Sequence, residues 1–170
     1  MTTQTDSILV LGATGKTGGR LVRTLRAAGK RVRAASRSGE VRFDWADQST
    51  WPAALDGASA VYLVAPENPA LARIFVQQAA AAGVGRFVAL SGRGIEQVPP
   101  EPFKSVIAAE QAVRESGAEW SIIRPNNFNQ NFDEACGAHR CEAVGWPCPS
   151  APHRSRSSMP RTSPMSPRSC

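Results

Sequence analysis

Apolar positions along the first 125 residues follow two alternating rhythms. Ile8 to Leu11 and Ala60 to Val64 are continuous apolar runs, the pattern of parallel strands covered on both faces. Arg31 to Ser36, Val41 to Phe43, Arg86 to Leu90 and Glu119 to Arg124 read as four further short strands. Between them, apolar residues recur at helical spacing. Leu21, Val22 and Leu25 follow Gly18, and Ala27-Ala28-Gly29 ends that segment. Pro69 to Ala82 is a helix closed by Gly83, and Phe103 to Ser116 is one closed by Gly117. A shorter helix is expected near Pro52, capped by Ser49 or Thr50. Proline suits its first turn because the missing N–H would have no partner there.

Strands alternating with helices at this spacing imply right-handed βαβ units. The expected fold is α/β: a doubly wound parallel sheet of Rossmann type, with six strands in the order 3-2-1-4-5-6. In such sheets ligands sit outside the carboxyl ends of the strands. The notable short loops all fall at those ends: Gly12 to Gly18, Arg37-Ser38, Asp44-Trp45, Ala65-Pro66, Ser91-Gly92 and Pro125 to Asn127.

The first loop carries the clearest chemistry. Gly12, Gly15 and Gly18 stand at three-residue spacing between a strand and a helix. Glycines there let backbone approach a pyrophosphate, and the helix N-terminus behind them favours negative charge. Thr14, Gly15, Lys16 and Thr17 are expected to present N–H groups and side chains to cofactor phosphates; a tight turn with no ligand is the alternative. NAD-specific folds place an acid at the end of the second strand for the ribose hydroxyls. This chain has Ser36-Arg37-Ser38 there. A guanidinium suits a 2′-phosphate, so Arg37 favours NADP(H) over NAD(H), with an ordinary exposed arginine as the alternative.

Composition changes the picture only at the C-terminus. The chain of 170 residues carries a net charge of +6. Residues 135–170 hold five Arg and one Glu, so most of that charge is theirs, and the body is nearly neutral. The basic balance therefore marks the tail, not a nucleic-acid-binding face. All four cysteines (Cys136, Cys141, Cys148, Cys170) lie in the same stretch, which contains no Leu, Ile or Phe. Cys136, His139, Cys141, Cys148 and His153 do not have the spacing of a standard zinc module, and no metal is expected. Residues 1–134 are read as the nucleotide-binding domain and 135–170 as a disordered tail. Its Arg, Pro, Ser, Ala, Gly and Cys are what GC-rich coding DNA yields when translated out of frame. A shift by one base from His153 permits a run containing Phe-Ile-Asp-Ala-Glu-Asp-Ile-Ala, with the helical apolar spacing that the tail lacks. No apolar stretch is long enough to span a membrane, and Met1 to Asp6 has no signal-peptide apolar region, so a cytoplasmic protein is expected.

The body resembles the NmrA-like group of atypical short-chain dehydrogenases/reductases, and within it bacterial proteins similar to ergot-alkaloid-type reductases. The resemblance rests on Gly12-Ala13-Thr14-Gly15-Lys16-Thr17-Gly18, Ala35-Ser36-Arg37-Ser38, Phe43-Asp44-Trp45, Val61-Tyr62-Leu63-Val64 and the run from Ser116 to Phe128. It covers Ile8 to about Asp133, and the shifted tail resembles the family's continuation. It implies that Asp44 contacts adenine, that Ala65 and Pro66 pass near the cofactor ribose, and that Ser91 places a hydroxyl near the nicotinamide. Asn126, Asn127 and Phe128 would lead into the substrate region. Plain turns at Asp44, Ser91 and Asn126-Asn127 are the alternatives.

One departure from the wider superfamily matters. Classical members use Tyr-x-x-x-Lys, in which the lysine lowers the tyrosine's pKa for proton transfer. Here the two slots fall near Pro102 and Val106, Lys104 is off register, and the one tyrosine, Tyr62, lies inside a strand. No catalytic residue is assigned. The resemblance implies an NAD(P)H-binding oxidoreductase acting on a small quinone- or enone-like substrate, inactive in this chain because the segments that close over substrate are missing. A non-catalytic NAD(P)-binding redox sensor or regulator is the second expectation. Exposed apolar surface is expected where the missing segments would pack. A small-molecule substrate is the expected partner; the oligomeric state is not legible.

Overall fold

A computed structural model of the chain describes residues 6–97 and 99–126. These all belong to one unit, Met1–Phe128. The composition change near Ala135, the tail with its cysteines, and Asn127 and Phe128 lie outside the described residues.

Six strands form one sheet: β1 (Ser7–Leu11), β2 (Val32–Ser36), β3 (Val41–Arg42), β4 (Ala58–Val64), β5 (Arg86–Leu90) and β6 (Glu119–Ile123). Their spatial order is β3-β2-β1-β4-β5-β6, and every pairing is parallel. Four α-helices connect them: α1 (Gly18–Ala27), α2 (Trp51–Leu55), α3 (Pro69–Ala81) and α4 (Lys104–Arg114). Strand order reverses at β1, so the switch point lies between β1 and β4, above the glycine loop.

The continuous apolar runs divide by parity between two faces. Leu9 and Leu11 of β1 join Leu63, Phe87 and Ala89 under α2, α3 and α4. Val10 and Tyr62 point the other way, onto Val22 of α1. Trp51, Phe75 and Phe43 interlock in the first cluster, with Trp51 and Phe75 ring centroids 5.4 Å apart and nearly perpendicular. Full burial of side chains this size contributes about 1.5–3 kcal/mol each. The second face is thinner. Beyond α1, Val64, Val88 and Leu90 are only partly buried, and Ile123 is 47% exposed.

Most boundaries lie within two residues of the expected ones. The cap of the Pro52 segment is different. A single 3₁₀ turn, Gln48–Thr50, precedes α2, and its cap is Asp47, whose carboxylate accepts from the N–H and hydroxyl of Ser49. Thr50 occupies the N-cap position of α2, as expected, but its hydroxyl is bonded to the Asp47 carbonyl, 2.7 Å away, and makes no cap hydrogen bond. Asp47 caps the 3₁₀ turn because its carboxylate reaches the N–H two residues ahead of it and takes a second bond from the Ser49 hydroxyl.

Candidate nucleotide-binding edge

The glycine loop turns at the carboxyl end of β1. Gly12 has φ +65°, a left-handed conformation that side-chain-bearing residues seldom adopt. Its carbonyl accepts from the Gly15 N–H at 2.8 Å, which closes the turn, and the Ala13 N–H donates to the Ala35 carbonyl, which ties the loop to β2. Gly18 is the tightest point: a Cβ there would lie 2.2 Å from the Gly12 carbonyl oxygen. The third glycine thus lets α1 start directly against the turn. Gly12, Thr14 and Gly15 are exposed, Lys16 and Thr17 half-buried, and Gly18 buried. Among the described residues the N–H groups of Thr14, Thr17 and Gly18 make no backbone hydrogen bond, and Thr17, at the N-cap, makes no side-chain cap. An exposed loop presenting unpaired donors at the positive end of a ten-residue helix fits a dinucleotide phosphate.

The other candidate residues lie along the same edge. A Cβ at Gly12 would sit 3.7 Å from Val64, so the end of β4 adjoins the loop; Ala65, half-buried, and Pro66, buried, follow directly. Arg37 is exposed at the end of β2 and makes no hydrogen bond or ion pair among the described residues. Beneath it the Ser36 hydroxyl is buried without a partner. Asp44 is half-buried. Its carboxylate accepts from the Ala46 N–H and its carbonyl from the Trp51 indole N–H, so local bonds hold this turn.

Ser91 and Asn126 meet at the far end. The Ser91 N–H donates to the Ile123 carbonyl and the Arg93 N–H to the Pro125 carbonyl; the Arg93 side chain reaches Asn126 Oδ1 at 3.4 Å. The Ser91 hydroxyl is engaged with Glu110 Oε1. Glu110 is the residue that sequence reasoning missed. It is 7% exposed, on the face of α4 that carries Ala109, Ala112 and Val113. An acid within an apolar stripe was the available signal, since a carboxylate is seldom buried without partners. Its partners are Arg124, through Nε at 2.9 Å and Nη2 at 2.6 Å, Arg114 at 3.2 Å, and Ser91. The Arg124 fork, aided by Ser91 and Arg114, holds the Glu110 carboxyl below the usual range against the cost of burial.

Lys104 is half-exposed and paired with Glu101 at 2.6 Å, and Tyr62 is 6% exposed inside β4. Elsewhere, the concavity between α3 and α4, lined by Arg73, Gln77, Glu115 and Ser116, includes none of the candidate residues. No helix among the described residues is long and apolar enough to cross a membrane.

Comparison with known proteins gives the family. Residues 12–142 match the family model described as NAD(P)H-binding. A (4-alkanoyl-5-oxo-2,5-dihydrofuran-3-yl)methyl phosphate reductase of Streptomyces griseus is 37% identical over 139 residues, covering 73% of this chain and 49% of that protein. Festuclavine dehydrogenase of Aspergillus fumigatus is 40% identical over 146 residues, covering 75% and 49%. The chain spans about half the length of these curated relatives. In structure it is similar to the triphenylmethane reductase of Citrobacter sp., solved with NADP(H), at a TM-score of 0.66 and 21% identity, covering 75% of this chain and 52% of that one. At that identity the likeness concerns the fold.

Proposed function

The chain belongs to the NAD(P)H-binding family, and we propose that it binds NADP(H) in preference to NAD(H), as the nucleotide-binding part of a reductase for small quinone- or enone-like acceptors. One observation carries the reading. Among the described residues, the Thr14, Thr17 and Gly18 N–H groups of the glycine loop make no backbone hydrogen bond, and β2 ends in Arg37, which has no partner there, and no acid. Thr14, Gly15, Lys16 and Thr17 hold the phosphates; Arg37 takes the 2′-phosphate; Asp44, Ala65 and Pro66 border the adenosine half. Ser91 and Asn126 lie towards the nicotinamide half and the substrate.

When bound, the reduced dinucleotide supplies a hydride. The chain's residues bind and orient it, and none of the described ones is assigned a proton. Lys104 is held by Glu101, Tyr62 is buried, and the Ser91 hydroxyl is committed to Glu110. A quinone or an enone suits such a site because its reduced oxygen or carbon takes the proton from water. The same observation favours a second reading, a regulator that binds the dinucleotide and transfers nothing.

Fluorescence titration with NADPH and NADH tests the first reading. The expected result is tighter NADPH binding, lost about tenfold or more in Arg37→Asp, with NADH affinity little changed. Equal loss for both nucleotides refutes the role of Arg37. Oxidation of NADPH across a panel of quinones and enones separates reductase from regulator. For the chain as written, binding without turnover is expected.

A further inference from the structure

The nucleotide reading leaves one buried charged group unused. Glu110 is the only acid among the buried polar residues of the described chain, and three elements converge on it. It projects from α4. It accepts from Ser91, the first residue after β5, and from the two-donor fork of Arg124, the first residue after β6. The same two loops are stitched a second time by backbone, Ser91 N–H to the Ile123 carbonyl at 2.8 Å and Arg93 N–H to the Pro125 carbonyl at 3.0 Å. Every one of these bonds lies at the carboxyl edge of β5 and β6. That is the half of the ligand edge away from the glycine loop.

A fold-stabilising ion pair does not need this arrangement. Two apolar side chains would join α4 to the sheet at no desolvation cost, and replacing buried pairs that way is often neutral or stabilising. What a forked, fully bonded carboxylate adds is direction. It fixes the Ser91 hydroxyl in one rotamer and sets the two loops at a defined separation. A nicotinamide ring seated beyond β4 would rest on those loops, while the adenosine half rests on β1, β2 and β3.

We propose that Glu110 and Arg124 are positioning residues that clamp the Ser91–Arg93 and Arg124–Asn126 loops into a platform for the nicotinamide half of the dinucleotide. This rests on the nucleotide reading above. Neither residue touches the reacting atoms. Their effect passes through the loops they hold, so it is confined to one half of the ligand.

The experiment divides the ligand accordingly. The full chain, Glu110→Gln and Arg124→Lys are titrated with NADPH and with 2′,5′-ADP, which contains the adenosine half alone. The emission of bound NADPH is recorded as a report on the nicotinamide environment. The expected result is NADPH affinity reduced about tenfold in both variants, with altered emission and 2′,5′-ADP affinity within about twofold of the parent. Arg124→Lys keeps the charge but loses the fork, so a loss there as well assigns the effect to geometry. Parallel loss of both ligands means a merely structural pair and overturns the proposal. Unchanged NADPH affinity and emission overturn it too. A parent chain that binds neither ligand overturns the nucleotide reading itself, and the platform with it.

Discussion

Gly18→Ala perturbs the loop at its narrowest point. The added Cβ would lie 2.2 Å from the Gly12 carbonyl oxygen, 2.8 Å from its carbon and 3.1 Å from Ala13 Cα. Non-bonded carbon and oxygen approach to a little over 3 Å, so the turn and the start of α1 must separate by about 1 Å. All three neighbours are backbone, and no side-chain rotation relieves the contact. Gly12 is already in a left-handed conformation, closed by its bond to the Gly15 N–H, which limits how the turn can yield. Overpacking of this kind costs about 1–3 kcal/mol. On the proposed reading the loop's N–H groups face the phosphates, so nucleotide affinity should fall as well. Gly15→Ala is the internal comparison: its Cβ would stand 3.2 Å from the same oxygen, close enough to need only a few tenths of an ångström. Urea unfolding followed by tryptophan fluorescence, with NADPH titration of the same samples, measures both effects. Gly18→Ala should lose stability and binding, and Gly15→Ala markedly less of each. If Gly18→Ala matches the parent in both measurements, the close approach of α1 to the turn is not what the glycine serves.

Phe75→Ala removes a fully buried ring that packs edge-on against Phe43, Trp45 and Trp51, and should cost about 3–5 kcal/mol in equilibrium unfolding; a loss under about 1 kcal/mol would mean that the cluster collapses around the gap. Glu110 is held below its ordinary pKa of 4.5 by Arg124, Ser91 and Arg114, so the unfolded chain binds more protons in acid, and the stabilisation it provides is complete above that value and lost as pH falls through the folded pKa. The stability difference between the parent and Glu110→Gln should therefore shrink as pH falls below 4.5; a constant difference counts against the ion pair as its source. For the tail, gene sequencing should show codons from about Ala135 that permit the second reading frame, and codons that forbid it end that proposal.

The fold was largely legible because local rules act consistently along the chain. Continuous apolar runs of strand length, Gly83 and Gly117 after the helices, and the fixed hand of βαβ crossovers leave few topologies, and the order β3-β2-β1-β4-β5-β6 follows. The glycine loop was legible for the same reason, since its geometry is set within seven consecutive residues. Where a side chain had more than one partner in reach, sequence was insufficient. Thr50 stands at the N-cap of α2 as expected, but its hydroxyl is bonded to the Asp47 carbonyl, and spacing alone does not say where a hydroxyl will point.

The amino-acid sequence by itself determined the strand and helix alternation, the position of the glycine loop, the cation at the end of β2 and the absence of a Tyr-x-x-x-Lys pair. Tertiary structure alone decided what Glu110 does. Ser91 and Arg124 stand 19 and 14 residues from it in sequence, and they become its partners only when the ends of β5 and β6 are brought beside α4. The same packing turned the Ser91 hydroxyl towards that carboxylate, sent Tyr62 into the core beneath α1, and left Ile123 exposed on the thinly covered face. Those outcomes depend on which strands lie side by side and which face a helix covers, and neither is a property of any one segment.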